Sequence, residues 1–121
     1  MSYHFYKFMH YWGLLATFVS LGGLIANKIS SQNPTAKLKR VLMMTHGLGL
    51  LATLLGGFGM LAKINAGHPM PNWVLGKLVI WLLLGGCVVL IKRGSAQVAT
   101  LTWWVLPIFG VVASYLAIVK I

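Results

Sequence analysis

WVLGKLVIWLLLGGCVVLI, residues 73–91 of this 121-residue chain, carries a single charge and is followed at once by Lys92 and Arg93. A hydrocarbon layer about 30 Å thick needs roughly 20 apolar residues in helical form. The stretch therefore predicts a membrane-spanning helix. Its lone cysteine, Cys87, has no partner for an internal disulfide and is expected to be a small apolar packing residue.

Three further stretches of similar length and composition surround this one. The predicted spans are residues 5–27, 41–62, 73–91 and 98–119. The breaks between them, Lys28–Arg40, Lys63–Asn72 and Lys92–Gln97, are polar and too short to form a domain. We therefore expect an all-α fold with residues 1–121 as a single transmembrane domain, an antiparallel up-down four-helix bundle in the lipid bilayer.

The composition excludes several classes of function. The chain has ten lysines and arginines, no aspartate or glutamate, and 59% hydrophobic residues. Without carboxylates it cannot build an Asp/Glu acid–base pair, a carboxylate metal cage or a carboxylate proton relay. No catalytic residue is assigned, because no nucleophile has a visible base beside it. The basic residues form no stripe, so nucleic acid is not an expected partner.

The basic residues are divided unevenly between the two ends of the predicted bundle. An even number of spans places both termini on one face. The opposite face carries six basic residues, Lys28, Lys37, Lys39, Arg40, Lys92 and Arg93. The terminal face carries four, Lys7, Lys63, Lys77 and Lys120. Since cytoplasmic loops are enriched in lysine and arginine, we expect a multi-pass protein of a bacterial-type inner membrane with both termini outside.

Each span has one stripe of small or polar residues at helical spacing. Membrane helices meet through such residues, because lipid does not drive apolar faces together. The stripes are Tyr3, Tyr6, His10, Gly13, Thr17 and Ser20; His46, Gly49, Thr53, Gly56, Met60 and Lys63; Trp73, Lys77, Trp81 and Gly85; and Trp103, Pro107, Gly110, Ser114 and Ala117. The glycines either allow close helix packing or leave room for a flat cofactor.

Two histidines lie inside spans, where ionisable side chains are costly and indicate an interior task. His10 lies about one and a half turns from the terminal face, and His46 is about as deep from the other face. On antiparallel helices they are separated along the axis by roughly 16 Å. They are thus too far apart to bind one metal ion or the two sides of one haem iron.

The terminal face also collects imidazole and thioether groups, a ligand set that suits Cu(I) or an axial position on haem iron. The candidate metal ligands are His4, Met9, His10, His68 and Met70. Alternatively, His4 and His68 are not ligands and have structural or interfacial roles.

Lys77 lies about one turn inside the third span, near the depth of His10. Its side chain either extends to the headgroups or pairs with an imported anion, since the chain offers no carboxylate side chain. Haem propionates, phospholipid phosphates and anionic substrates all qualify.

The segment from Trp73 through Lys77 to Gly85, ending at the Lys92–Arg93 pair, resembles the third span of the SirB-like membrane proteins. That family is similar in layout to the CopD copper-resistance proteins and to the HemJ haem-associated oxidases. The resemblance implies a compact bundle that holds haem or copper, with His10, His46 and Lys77 at matching positions. Gly47 and Leu48 stand where an aspartate commonly follows the second-span histidine in that family.

Three hypotheses of function follow. In the leading one the bundle binds haem b for redox or haem handling, with His10 or His46 as axial ligand. Lys77 and Lys63 offset the propionate charge. The glycines that leave space for the macrocycle are Gly49, Gly56, Gly57 and Gly85. The second is copper binding at the terminal face. The third is an accessory subunit without a cofactor, which acts in a homodimer or with a membrane-complex partner.

Overall fold

The computed structural model describes residues 2–30 and 33–119. The helices in these ranges are α1 (Tyr3–Ile29), α2 (Ala36–Ile64), α3 (Asn72–Arg93) and α4 (Ala96–Val119). Each is long and apolar enough to cross a membrane, judged by length and composition. The prediction of an all-helical chain with four long apolar helices is confirmed, and the arrangement is consistent with a helical bundle.

Three helices begin at hydroxyl caps, and that of α4 is Ser95, whose Oγ accepts a hydrogen bond from the Val98 amide at 3.4 Å. Ser2 Oγ accepts a hydrogen bond from the Phe5 amide at 3.2 Å, and Thr35 Oγ1 accepts one from the Leu38 amide at 3.1 Å. Such caps satisfy amides that have no partner within the helix. Because of the Thr35 cap, α2 begins at Ala36, within the break predicted for Lys28–Arg40. That break is therefore shorter than the sequence indicated.

The connection between α2 and α3 is ordered by backbone geometry. Gly67 has a φ of 79°, a left-handed conformation that favours glycine. Asn65 Nδ2 donates a hydrogen bond to the Pro69 carbonyl oxygen at 3.1 Å. The turn leaves His68 and Met70 exposed at the tip of the connection.

Helices α1 and α2 form the closest contact in the fold. A Cβ atom added at Gly49 would lie 2.6 Å from Thr17 Oγ1 and 2.8 Å from the Thr17 amide nitrogen. One added at Gly56 would lie 2.6 Å from the His10 amide nitrogen. Only glycine at these positions lets the two backbones approach this closely. We call this contact the α1–α2 interface.

Buried apolar side chains concentrate in one half of the bundle, which holds the end of α1, the end of α3 and the start of α4. Its most buried residues are Leu21, Ile25, Cys87, Ile91 and Ala99. We call this the closed half. Cys87 is a buried free thiol there, as expected of a packing residue. The other half, with the starts of α1 and α3 and the ends of α2 and α4, is the open half.

The predicted stripes agree with the structure in α1 and α2. His10, Gly13, Thr17 and Ser20 are buried in α1. The buried residues of α2 are His46, Gly49, Thr53 and Gly56. In α3 the buried set is shifted by about one residue from the predicted stripe and is apolar, comprising Ile80, Leu84, Cys87 and Ile91.

The predicted stripe of α4 is wrong in its first half. Trp103 and Pro107 are exposed, and Thr102 and Leu106 are buried in their place. The helix is apolar on nearly every side, so its small residues do not determine which face turns inward. Large apolar side chains cover the outside of the molecule, among them Phe8, Leu15, Val111 and Ile118.

Candidate functional site

A cavity of about 600 Å³ lies in the open half, between all four helices. Its volume is within the range of sites that bind small molecules and cofactors, roughly 300–1,000 Å³. The polar and aromatic residues in its wall are Tyr3, Lys7, His10, Tyr11, Phe18, Thr53, Phe58, Trp73, Lys77, Trp81, Phe109 and Ser114. Most of the remaining wall is aliphatic, so the cavity suits a largely apolar ligand with a few polar groups.

His10 is fixed in the wall of this cavity by the α1–α2 interface. Its Nδ1 lies 2.8 Å from the Thr53 carbonyl oxygen. Since a carbonyl only accepts, Nδ1 carries the proton and donates, which leaves Nε2 with a free lone pair. The backbone beside Gly56 holds the helices at the distance this bond needs, and the ring lies over Gly57, whose added Cβ would be 3.4 Å from Nδ1.

This arrangement of His10 is the one that metal-binding histidines use. A ligating imidazole almost always donates its second N–H to a carbonyl, carboxylate or water, which fixes the tautomer and the ring orientation. His10 is only 7% exposed, and no further hydrogen bond joins its ring to another described residue. The chemistry of the site thus provides one oriented nitrogen ligand at an apolar cavity.

Two lysines lie in the same cavity wall. Lys7 Nζ lies 5.9 Å from the centroid of the Tyr11 ring, and Lys77 Nζ lies 5.9 Å from the centroid of the Trp73 ring. Lys77 is also close enough to His10 to interact with it electrostatically. Aromatic faces stabilise ammonium groups only modestly. With no acidic side chain in the chain, both lysines favour an anionic group on a ligand.

Trp81 links the cavity wall to the middle of α2. Its Nε1 donates a hydrogen bond to the Leu50 carbonyl oxygen at 2.9 Å. Among the described residues the backbones of α2 and α3 otherwise stay well apart. This bond therefore holds the two helices together at the inner end of the cavity.

His46 lies outside the cavity wall, in the closed half of α2. It is 4% exposed, and the backbone of Gly85 approaches its ring. Neither ring nitrogen has a hydrogen-bond partner of acceptable geometry among the described residues. His46 precedes Gly56, the neighbour of His10, by ten positions, or about 15 Å of helix. The two histidines thus lie at separate sites, as the spacing predicts.

Of the predicted copper ligands, the structure places His10 in the cavity wall and the others outside it. His4, His68 and Met70 are exposed, Met9 is half-buried, and the His4 ring contacts Tyr3 edge to face at 5.9 Å. Within residues 2–30 and 33–119, no three histidine or cysteine side chains come close enough to hold one metal ion.

Other predicted cofactor residues also lie outside the wall. The α1 backbone packs directly against Gly49 and Gly56. This supports close helix packing, which was one of the two alternatives that the sequence left open. Lys63 is exposed and absent from the wall. Lys7 lies in the cavity wall instead. The sequence did not single it out as a site residue, although it precedes His10 by one helical turn and so shares its face.

Comparison with known proteins returned no matching family model, no matching curated protein and no matching solved structure. The resemblance to the SirB-like proteins stays a prediction.

Proposed function

We propose that the chain is a multi-pass protein of a bacterial-type inner membrane, an antiparallel up-down bundle with both termini outside. Four sufficiently long apolar helices support insertion. The large apolar side chains on the outside of the molecule would be solvated by lipid rather than water. The excess of basic residues at the Lys28 and Lys92 end supports the orientation.

Within this bundle we propose that the cavity binds haem b, whose iron His10 Nε2 would hold. The observation that carries the proposal is the hydrogen bond from His10 Nδ1 to the Thr53 carbonyl at the wall of an apolar cavity. A proximal histidine is a common haem ligand, and its second N–H is usually held in this way. His46 does not line the cavity and is not the proposed ligand.

The remaining residues of the wall fit the same group. Trp73, Trp81 and Phe109 supply flat apolar surface, while Lys7 and Lys77 supply two positive charges for two propionates. Bound haem supplies one-electron redox chemistry. The protein's part is to orient Nε2 through Thr53, to exclude water with the aliphatic wall, and to neutralise the carboxylates.

The test is a titration of the detergent-purified apoprotein with haemin, followed by absorption spectra in the oxidised and dithionite-reduced states. We expect a Soret band for the native chain and for His46→Ala, and loss of the band or a five-fold or greater weakening of binding for His10→Ala, on the order of 1 kcal/mol or more. Equal spectra from the native chain and His10→Ala, or no Soret band at all, would contradict the proposal.

A second titration examines the lysines. Lys7→Gln/Lys77→Gln is expected to weaken haemin binding roughly tenfold or more, because each charge-assisted hydrogen bond contributes about 1.5–3 kcal/mol. Lys63→Gln, which removes an exposed charge, serves as the matched control. The dimethyl ester of haemin should bind the native chain and the double variant alike. A double variant that retains full affinity for haemin would remove the lysines from the site.

Copper binding and a cofactor-free accessory role, with a homodimer or a membrane-complex partner, stay predictions. In the structure only His10 of the proposed copper ligands reaches the cavity. Metal analysis of the same preparation distinguishes the copper hypothesis, since bound copper without a Soret band would favour it.

A further inference from the structure

A second concave surface lies at the opposite end of the molecule from the cavity. It is a groove of about 410 Å³ between the end of α1 and the start of α4. Among the described residues it is lined by Ala26, Ile29, Ser30, Thr100, Trp103 and Trp104. Ile29, Trp103 and Trp104 are all exposed, and Trp104 is 67% exposed. The groove is therefore largely apolar and opens to the outside of the bundle.

Basic side chains cluster at the same end. Lys28 lies on a different face of α1 from the groove residues, and its Nζ donates a hydrogen bond to the Lys92 carbonyl oxygen at 3.2 Å. This bond joins the end of α1 to the end of α3, which carries Lys92 and Arg93. Lys92 and Arg93 are exposed. The side chains of this chain include no acidic group that could neutralise them.

We propose that this end of the molecule binds one anionic phospholipid, with its phosphate at Lys92 and Arg93 and an acyl chain in the groove beside Trp103 and Trp104. The charge selects an anion, and the apolar groove selects an anion that carries a hydrocarbon chain. Trp103 and Trp104 follow the start of α4 by seven and eight residues, about 10–12 Å of helix, so they lie where the upper part of an acyl chain would run. The inference rests on membrane insertion and is independent of haem.

The test measures lipid binding by the full-length, detergent-purified protein, using native mass spectrometry with phosphatidylglycerol and phosphatidylcholine of equal chain length. We expect the native chain to prefer phosphatidylglycerol. Lys92→Gln/Arg93→Gln should weaken that binding by roughly 20- to 30-fold, since each basic residue near a surface contributes about 1 kcal/mol. The variant leaves the Lys92 carbonyl, and hence the Lys28 hydrogen bond, in place.

The matched control is Lys37→Gln/Lys39→Gln, which removes the same charge from exposed positions at the start of α2. It should change phosphatidylglycerol binding by less than about threefold, the effect of a diffuse surface charge. Trp104→Ala tests the groove separately and should weaken binding of both lipids. Three results would overturn the proposal. They are an equal loss of phosphatidylglycerol binding in the two double variants, no preference for phosphatidylglycerol in the native chain, and displacement of the lipid by millimolar glycerol phosphate.

Discussion

The two halves of this bundle differ in what their interior side chains do. In the closed half, Leu21, Ile25 and Ile91 are almost wholly buried in one apolar core. In the open half, the same helices surround a cavity of about 600 Å³ with His10 in its wall. The difference indicates that the closed half stabilises the fold, and that the open half leaves space between its helices.

The largest expected effect comes from removing a buried side chain from the closed half. Leu21→Ala should lower the free energy of unfolding by about 2–4 kcal/mol, because a fully buried leucine loses its packing contacts. Phe58→Ala, at the cavity wall and 38% exposed, should cost much less stability and should instead weaken haemin binding. Denaturant unfolding in detergent measures the first quantity. Equal losses of stability in the two variants would erase the distinction between the halves.

The second largest effect is expected at the α1–α2 interface, which carries His10. Gly56→Ala places a methyl group against the His10 backbone and should cost about 1–3 kcal/mol through overpacking. Gly47→Ala in the same helix is the matched control, since an added Cβ there meets no atom within 4 Å. We expect Gly56→Ala to weaken haemin binding as well, by displacing the ring. A neutral Gly56→Ala would show that the interface can relax.

The two histidines should respond in opposite ways to an apolar replacement. His46→Leu removes two buried nitrogens without partners from the closed half and should raise the free energy of unfolding by about 1–2 kcal/mol. His10→Leu removes the hydrogen bond to Thr53 and should not stabilise the protein. Thermal unfolding in detergent compares them. A destabilised His46→Leu variant would indicate that His46 has a partner in the membrane.

The smallest expected effect concerns the bond at the inner end of the cavity. Trp81→Phe removes the hydrogen bond to the Leu50 carbonyl and should cost about 0.5–1.5 kcal/mol. Trp104→Phe, at a mostly exposed position, should leave stability unchanged. If both variants behave alike in denaturant unfolding, the link between α2 and α3 does not contribute measurably.

The sequence predicted the helices and the inward faces of α1 and α2 because polar and small residues recur there at helical spacing. His10 and His46 are ionisable and costly on any other face, so their burial follows from their chemistry. It did not predict the inward face of α4, whose apolar residues surround the whole helix. Leu106 faces inward there, a choice set by packing partners rather than by pattern.

The site was only partly predictable for a related reason. His10 and Lys77 were identified by their cost in a span, and the structure brings both to one cavity. Helical spacing does not measure how far apart two helices lie, so it did not distinguish glycines that close an interface from glycines that open a space. Gly49 and Gly56 belong to the first kind.

The most direct test of the central claim, that the open half binds haem iron through His10, is chemical rescue. His10→Gly removes the ligand and leaves a space at the cavity wall that free imidazole can fill. We predict that haemin binding to this variant needs added imidazole and then shows the native reduced spectrum, whereas His46→Gly binds haemin without it. A His10→Gly spectrum that equals the native one without imidazole would contradict the account.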